Sequence, residues 1–216
     1  MDTLECMAEP LSMNRVIHGA IRRDLTRLLD ALAAFPEGKQ HRAVQLSTAW
    51  EFFRNELDVH HHGEHQIAWP ALRAVGVDDA LLEQMDAEHD RLADALAAAA
   101  DKMRVLERSA TRAAADEARA AITNLQQVVE EHFVHEERDV DPVFVAKRDT
   151  PELKAMSRKF ARRSPLRSGD FFAWLENGAS AEERDGLRKS VPPPVVAIFS
   201  RVLGQRYRRI VAPAWR

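Results

Sequence analysis

Glycine is scarce in this chain, with 8 in 216 residues, and there is one tyrosine and one cysteine. Strands draw on β-branched and aromatic residues and tight turns on glycine. A composition rich instead in Ala, Leu, Arg and Glu therefore favours helix over sheet. The lone Cys6 excludes an intramolecular disulfide and makes a reducing, cytoplasmic compartment the default. No run approaches the ~18 apolar residues that span a bilayer, so no membrane partner is expected. The opening MDTLECMAEP also lacks the basic and apolar regions of a secretory signal. Absent too are GxxxxGK[ST], GxGxxG and GxSxG, which removes the common phosphate-cradling loops and the serine nucleophile elbow. What remains is 45% hydrophobic and 30% charged, enough for a sizeable core, and the nine histidines are the informative count.

The net charge of −3 conceals a division. Residues 1–150 hold 17 basic against 28 acidic side chains, whereas residues 151–216 hold 14 against 6. The change falls at Thr150-Pro151, where proline disfavours continuation of a helix. Two regions are expected: an acidic body (1–150) and a basic helical extension (151–216). In the extension, Val195, Ile198, Phe199 and Val202 follow the i, i+3, i+4, i+7 spacing of one helix face. Such a face needs cover, and the acidic body is the nearest candidate. An oligomer contact and a nucleic-acid or anionic-lipid surface are the alternatives, with nucleic acid the weaker.

The body reads as four helices, over residues 11–35, 41–75, 79–108 and from just after Ser109, taken as an N-cap, to 147. Pro36-Glu37-Gly38 ends the first and Gly76 the second. His18 shares a face with Ile21, Leu25 and Leu28, and His60 one with Phe53 and Leu57. His89 lines up with Leu82, Met85, Leu92 and Leu96, and His132 with Leu125, Val128 and Val129. Short connections make neighbours antiparallel, so the fold expected is all-α: an up-down-up-down four-helix bundle with the extension packed on it.

An internal repeat joins these histidines. His60 and Glu64, and likewise His132 and Glu136, form HxxxE pairs, and each pair is followed by a proline ten residues after its histidine (Pro70, Pro142). Each is also preceded by a histidine on the previous helix, His18 by 42 residues and His89 by 43. Residues i and i+4 lie one turn apart on one face, so each HxxxE presents imidazole and carboxylate together. A lone HxxxE is commonplace and usually solvated. Two of them on apolar faces bury groups that cost several kcal/mol per unpaired ion. A metal pair satisfies all of them: His18 and His60 on one metal, His89 and His132 on the other, Glu64 and Glu136 bridging. Mixed imidazole and carboxylate donors with open positions suit iron or manganese better than closed structural zinc. His61, His62, His65 and His135 fall off the inward faces by helical phase, and His41 opens its helix exposed. Cys6 is a weak candidate nucleophile.

The segments HGAIRRDL, HHHGEHQIAWPAL, EHDRL and HFVHEERDVDPVF resemble the hemerythrin-like (HHE cation-binding) family over about residues 11–147, in its bacterial H-HxxxE-H-HxxxE branch. The resemblance implies a bundle holding two iron ions in an oxo- or hydroxo-bridged centre. Its ligands, carried over by position, are His18, His60, Glu64, His89, His132 and Glu136. The oxygen-carrying members have a further histidine one turn before His89 and a carboxylate at +5 of the last motif. Here those positions are Met85 and Glu137, and Glu136 is preferred to Glu137 because i+4 shares the histidine's face better. Open coordination then suits peroxide, and the activity expected is catalase-like disproportionation of H2O2, or reaction with NO or O2, in oxidative or nitrosative defence. The competing reading is a non-enzymatic module binding or sensing O2, NO or iron, in which the basic extension signals ligation. A third is a helical adaptor whose histidines are incidental.

Overall fold

The computed structural model describes residues 11–162 and 164–216; Cys6 and Arg163 lie outside them. Among the described residues there is no strand, and no helix is long and apolar enough to cross a membrane. Helix α1 (Met13–Ala33) starts where the Ser12 side chain accepts from the Arg15 amide, and buries Val16, Ile21, Leu25, Leu28 and Leu32 along the anticipated stripe. Helix α2 (Gln40–Gly63) runs into a π-helical segment, Glu64–Ala68, and resumes as α3 (Trp69–Ala74). The continuous helix expected over 41–75 is thus interrupted. Pro70 has no amide hydrogen to donate back along the helix. Just before it the Trp69 amide reaches five residues back to the Glu64 carbonyl, so one extra residue enters the turn.

Helix α4 (Asp79–Ser109) is capped by the Asp78 side chain, which accepts from the Ala80 amide. Its end corrects the sequence reading. Ser109 is the last residue of α4, not a cap; Ala110 follows in the left-handed region at φ 49°, and Thr111 caps α5 (Arg112–Asp139) by accepting from the Ala114 amide. The fourth helix also stops short of residue 147. Pro142 forces a break at Val140, and α6 (Asp141–Lys147) starts afresh. Asp141 at this break is buried and held to α1 by Arg15 at 3.0 Å and by the Ser12 hydroxyl.

Helix α1 packs on α2 and α5, and α4 on the same two, so the four long helices close a ring. Its interior is apolar at both ends and polar between. On one side lies a large cluster containing Ile21, Leu57, Leu92, Val129 and Phe133. On the other is a smaller one of Ala68, Trp69, Leu72, Leu82, Met85 and Val140. The histidines and glutamates of the repeat occupy the layer that separates them.

From Pro151 the chain forms α7 (Pro151–Phe160), α8 (Pro165–Glu176), α9 (Ala181–Ser190) and α10 (Pro193–Ile198). Two π-helical segments and a 3₁₀ turn follow, Phe199–Leu203, Tyr207–Val211 and Ala212–Trp215. Helix α9 lies on α1, where Gly186 leaves room for the Leu11 carbonyl and Val16. The last turns lie on α2, where Tyr207 and Trp174 face Phe52. Trp174, Leu187, Tyr207 and Val211 thereby join the large cluster. The face that docks is not the one the periodicity named. Val195, Ile198 and Val202 are 38%, 57% and 63% exposed, while Val196, Ser200 and Tyr207 turn inward. Val195 and Ile198 precede the first of these π-helical segments and are exposed because α10 turns Val196 inward; only beyond Phe199 does the inserted residue shift the phase, at Val202.

Candidate metal centre

Four helices deliver the polar layer: His18 from α1, His60 and His61 from the end of α2, His89 from α4, and His132 and Glu136 from α5, with Glu64 opening the π-helical segment. The His18 and His60 Nε2 atoms stand 3.1 Å apart, and those of His89 and His132 stand 3.0 Å apart. Glu64 addresses one imidazole of each pair, Oε1 lying 3.2 Å from His60 Nε2 and Oε2 3.3 Å from His89 Nε2. Glu136 does the same from the other side, its Oε2 being 3.2 Å from His18 Nε2 and 3.8 Å from His132 Nε2. Two sets of donors result, His18, His60, Glu64 and Glu136 in one and His61, Glu64, His89 and His132 in the other. Within each set the donor atoms lie within 4.8 Å of one another.

This arrangement is costly as it stands. His18, His60, Glu64, His132 and Glu136 are buried. Both Glu64 oxygens, Glu136 Oε2 and His61 Nε2 are buried without a hydrogen-bond partner. Four such orphans converging on one spot are what remains when a cation is the missing partner, since a buried polar atom is otherwise nearly always paired. The donor set therefore fits metal ions that take nitrogen and oxygen together.

The rings are held from behind. His18 Nδ1 donates to Glu137 Oε1 at 2.9 Å, and Glu137 is itself clamped by Arg22 at 2.6 Å. His132 Nδ1 donates to Glu88 Oε2 at 3.0 Å, and the other Glu88 oxygen accepts from His135 at 2.8 Å. Committing Nδ1 to a carboxylate fixes the tautomer that leaves the Nε2 lone pair facing the centre. Phe133 stacks on His18 at 3.6 Å with planes 8° apart, which sets the tilt of that ring. Asn14 donates to Glu136 Oε1 at 3.0 Å, leaving Oε2 for the centre.

Charge is distributed unequally. Burial pushes His60 and His61 well below the ordinary imidazole range and His89 down to about 4, neighbouring imidazoles adding to the effect. Burial also lowers His132. It opposes a charge on His18 as well, but the adjacent Glu136 and Glu137 carboxylates outweigh it and His18 is raised. Burial and the nearby Glu136 push Glu64 well above the carboxylate range. Glu136 resists its own burial through the neighbouring His18 imidazole and stays below that range.

The six side chains singled out by the repeat are all brought together. Glu137, the alternative to Glu136, stands outside the layer and backs His18. His61 overturns the phase argument that set it aside: it lies inside, its ring 4.2 Å from that of His89. The signal was present, because His60 and His61 stand four and three residues before Glu64 and straddle its direction on the helix. His62 and His65 do stay outside, bonded to the Asp58 carbonyl and to Asp86. Glu88 and Asn14 were missed, and Glu137 was weighed as a ligand and not as the support of His18, since each acts across a helix interface.

Openings are few. A recess of about 60 Å³ lined by Glu88, Arg91, Val128, Glu131 and His132 reaches the edge of His132. A larger cleft of about 430 Å³ between α1 and α9 meets the centre only through Glu137.

The family model Hemerythrin HHE cation binding domain matches residues 10–144, more than half of the chain, and includes every donor just described. The chain belongs to this family. No curated protein and no solved structure matches it. The hemerythrin domain ends within α6, so the helices from α7 onward lie outside the match.

Proposed function

We propose that this hemerythrin-family chain is a non-haem di-iron protein. In this reading His18 and His60 hold one iron, His89 and His132 the other, and Glu64 and Glu136 bridge them. The scaffold is an up-down-up-down bundle over residues 1–150, carrying 151–216 as a basic extension. The observation that carries it is the placing of the two Glu64 oxygens, one against each imidazole pair and neither with a hydrogen-bond partner. When bound, iron supplies the two-electron redox change for disproportionation of hydrogen peroxide, in which two peroxides give two waters and dioxygen. The protein's part is positional. Glu88 and Glu137 hold two imidazoles in one tautomer, Asn14 turns Glu136, and Phe133 and Trp69 keep water from the flanks.

The full-length protein should carry two irons per chain. It should evolve oxygen from peroxide through many turnovers, and lose that activity in His60→Ala and Glu136→Ala. Absence of iron refutes the reading. A single stoichiometric reaction followed by bleaching refutes the catalytic part and supports a sensing or storage role. One contact favours that second reading: the Phe160 ring of α7 lies against Gly63, and α7 packs on the π-helical segment bearing Glu64. Movement of Glu64 would then be felt by the extension, and a reversible spectral change with altered proteolysis there is its signature.

A further inference from the structure

Resting on the dinuclear reading, we propose that His61 is a seventh donor, a third imidazole on the His89–His132 side, and that the two metal positions are chemically unequal. Three independent features place it there. Its Nε2 is buried and has no hydrogen-bond partner. It offers a donor atom within 4.8 Å of donor atoms of Glu64, His89 and His132, and belongs to no such set with His18 or Glu136. Its ring is oriented by two neighbours, stacked on His89 with planes 23° apart and edge-on to His132 at 5.5 Å. An imidazole with no metal to serve gains nothing from turning a bare nitrogen into a sealed polar layer, since a buried acceptor that gives up water needs a partner in return.

The local backbone explains how α2 supplies two adjacent histidines to one centre. His60 and His61 project about 100° apart on the helix, and Glu64 falls between their directions. The widened turn that begins at Glu64 then carries Trp69 under His89, the two rings near parallel at 12°. On α4 the residue one turn before His89 is Met85, buried in the small apolar cluster, so α4 contributes a single imidazole. The third nitrogen on that side comes from α2 instead. Three imidazoles then face one position and two face the other, with the carboxylates shared. The three-nitrogen position should fill first. The His18–His60 position keeps more of its coordination open, so the exogenous ligand should enter there.

The experiment uses the full-length protein and its His61→Ala and His61→Gln variants. Anaerobic titration with Fe(II) is followed by calorimetry, and protein loaded with isotopically enriched iron is examined by Mössbauer spectroscopy. The wild type should take up two irons in two steps and show two quadrupole doublets of equal area. Either variant should weaken one step by at least about tenfold, the low end of what losing even an outer partner costs. The distinct doublet should be lost with it, and added imidazole should restore both in His61→Ala. Two irons bound with unchanged affinities and spectra in the variants overturn the role of His61 and leave the di-iron reading intact. A single wild-type doublet overturns the inequality without any variant. A wild type that binds no iron overturns the dinuclear reading and this inference together.

Discussion

Replacing Asp24 with asparagine should make the protein more stable at neutral pH and leave it nearly unchanged in mild acid. Asp24 is buried on α1 at the seam with the extension, where it accepts from the Trp174 indole at 2.8 Å and from Arg27 at 3.2 Å. Burial raises its pKa from 3.8 to about 6, the indole and the two nearby arginines recovering only part of the penalty. At 1.36 kcal/mol per decade the shift corresponds to about 3 kcal/mol. Between 3.8 and 6 the unfolded chain has already released the proton that the folded chain retains. Stability therefore falls as pH rises through this window, and above it the full cost persists. Asparagine keeps an oxygen for Trp174 and removes the titration. The assay is thermal unfolding of both proteins from pH 4.5 to 8, read as the difference between them, so that titration elsewhere cancels. The variant should gain up to about 3 kcal/mol at pH 8, roughly 6–12 °C in Tm for a chain of this size. An offset that does not vary with pH would refute the reasoning, as would a less stable variant at pH 8. Either would mean that Arg23, Arg27 and Trp174 compensate the buried charge completely.

Two further outcomes follow from the geometry. Glu88→Ala and Glu137→Ala each free an imidazole Nδ1 without removing a donor, and metal affinity measured by chelator competition should fall about 10–100-fold; unchanged affinity would show that packing alone orients the rings. Gly169→Ala would set a Cβ 2.5 Å from the Leu203 carbonyl carbon and 2.8 Å from the Gly204 nitrogen, so α8 and the segment after α10 must separate. The cost should be about 1–3 kcal/mol, with faster tryptic cleavage of residues 164–216 at unchanged metal content; equal cleavage rates would refute it.

The helical class, the six side chains of the repeat and a helix boundary at Thr150-Pro151 were readable directly. Each depends on a period or a residue whose effect is local: i, i+4 spacing on an apolar stripe, and the poor fit of proline to a continuing helix. Errors arose where phase was taken from the wrong reference residue. Val195 and Ile198 face away from Val196, the residue of α10 that docks, and His61 was judged by phase from His60 rather than by its distance from Glu64. Thr111 replaced Ser109 as the cap of α5 because Ala110 takes the left-handed turn, a choice settled where the Gly38 amide bonds the Ala110 carbonyl at 2.8 Å. Sequence alone thus determined which chemistry the chain could assemble, since donor type and helical spacing are written in consecutive residues. Tertiary structure alone decided how the donors divide into two sets and which carboxylates stand behind them. Those relations join residues up to 122 positions apart, such as Asn14 and Glu136, and no local rule reaches across the helix interfaces that make them.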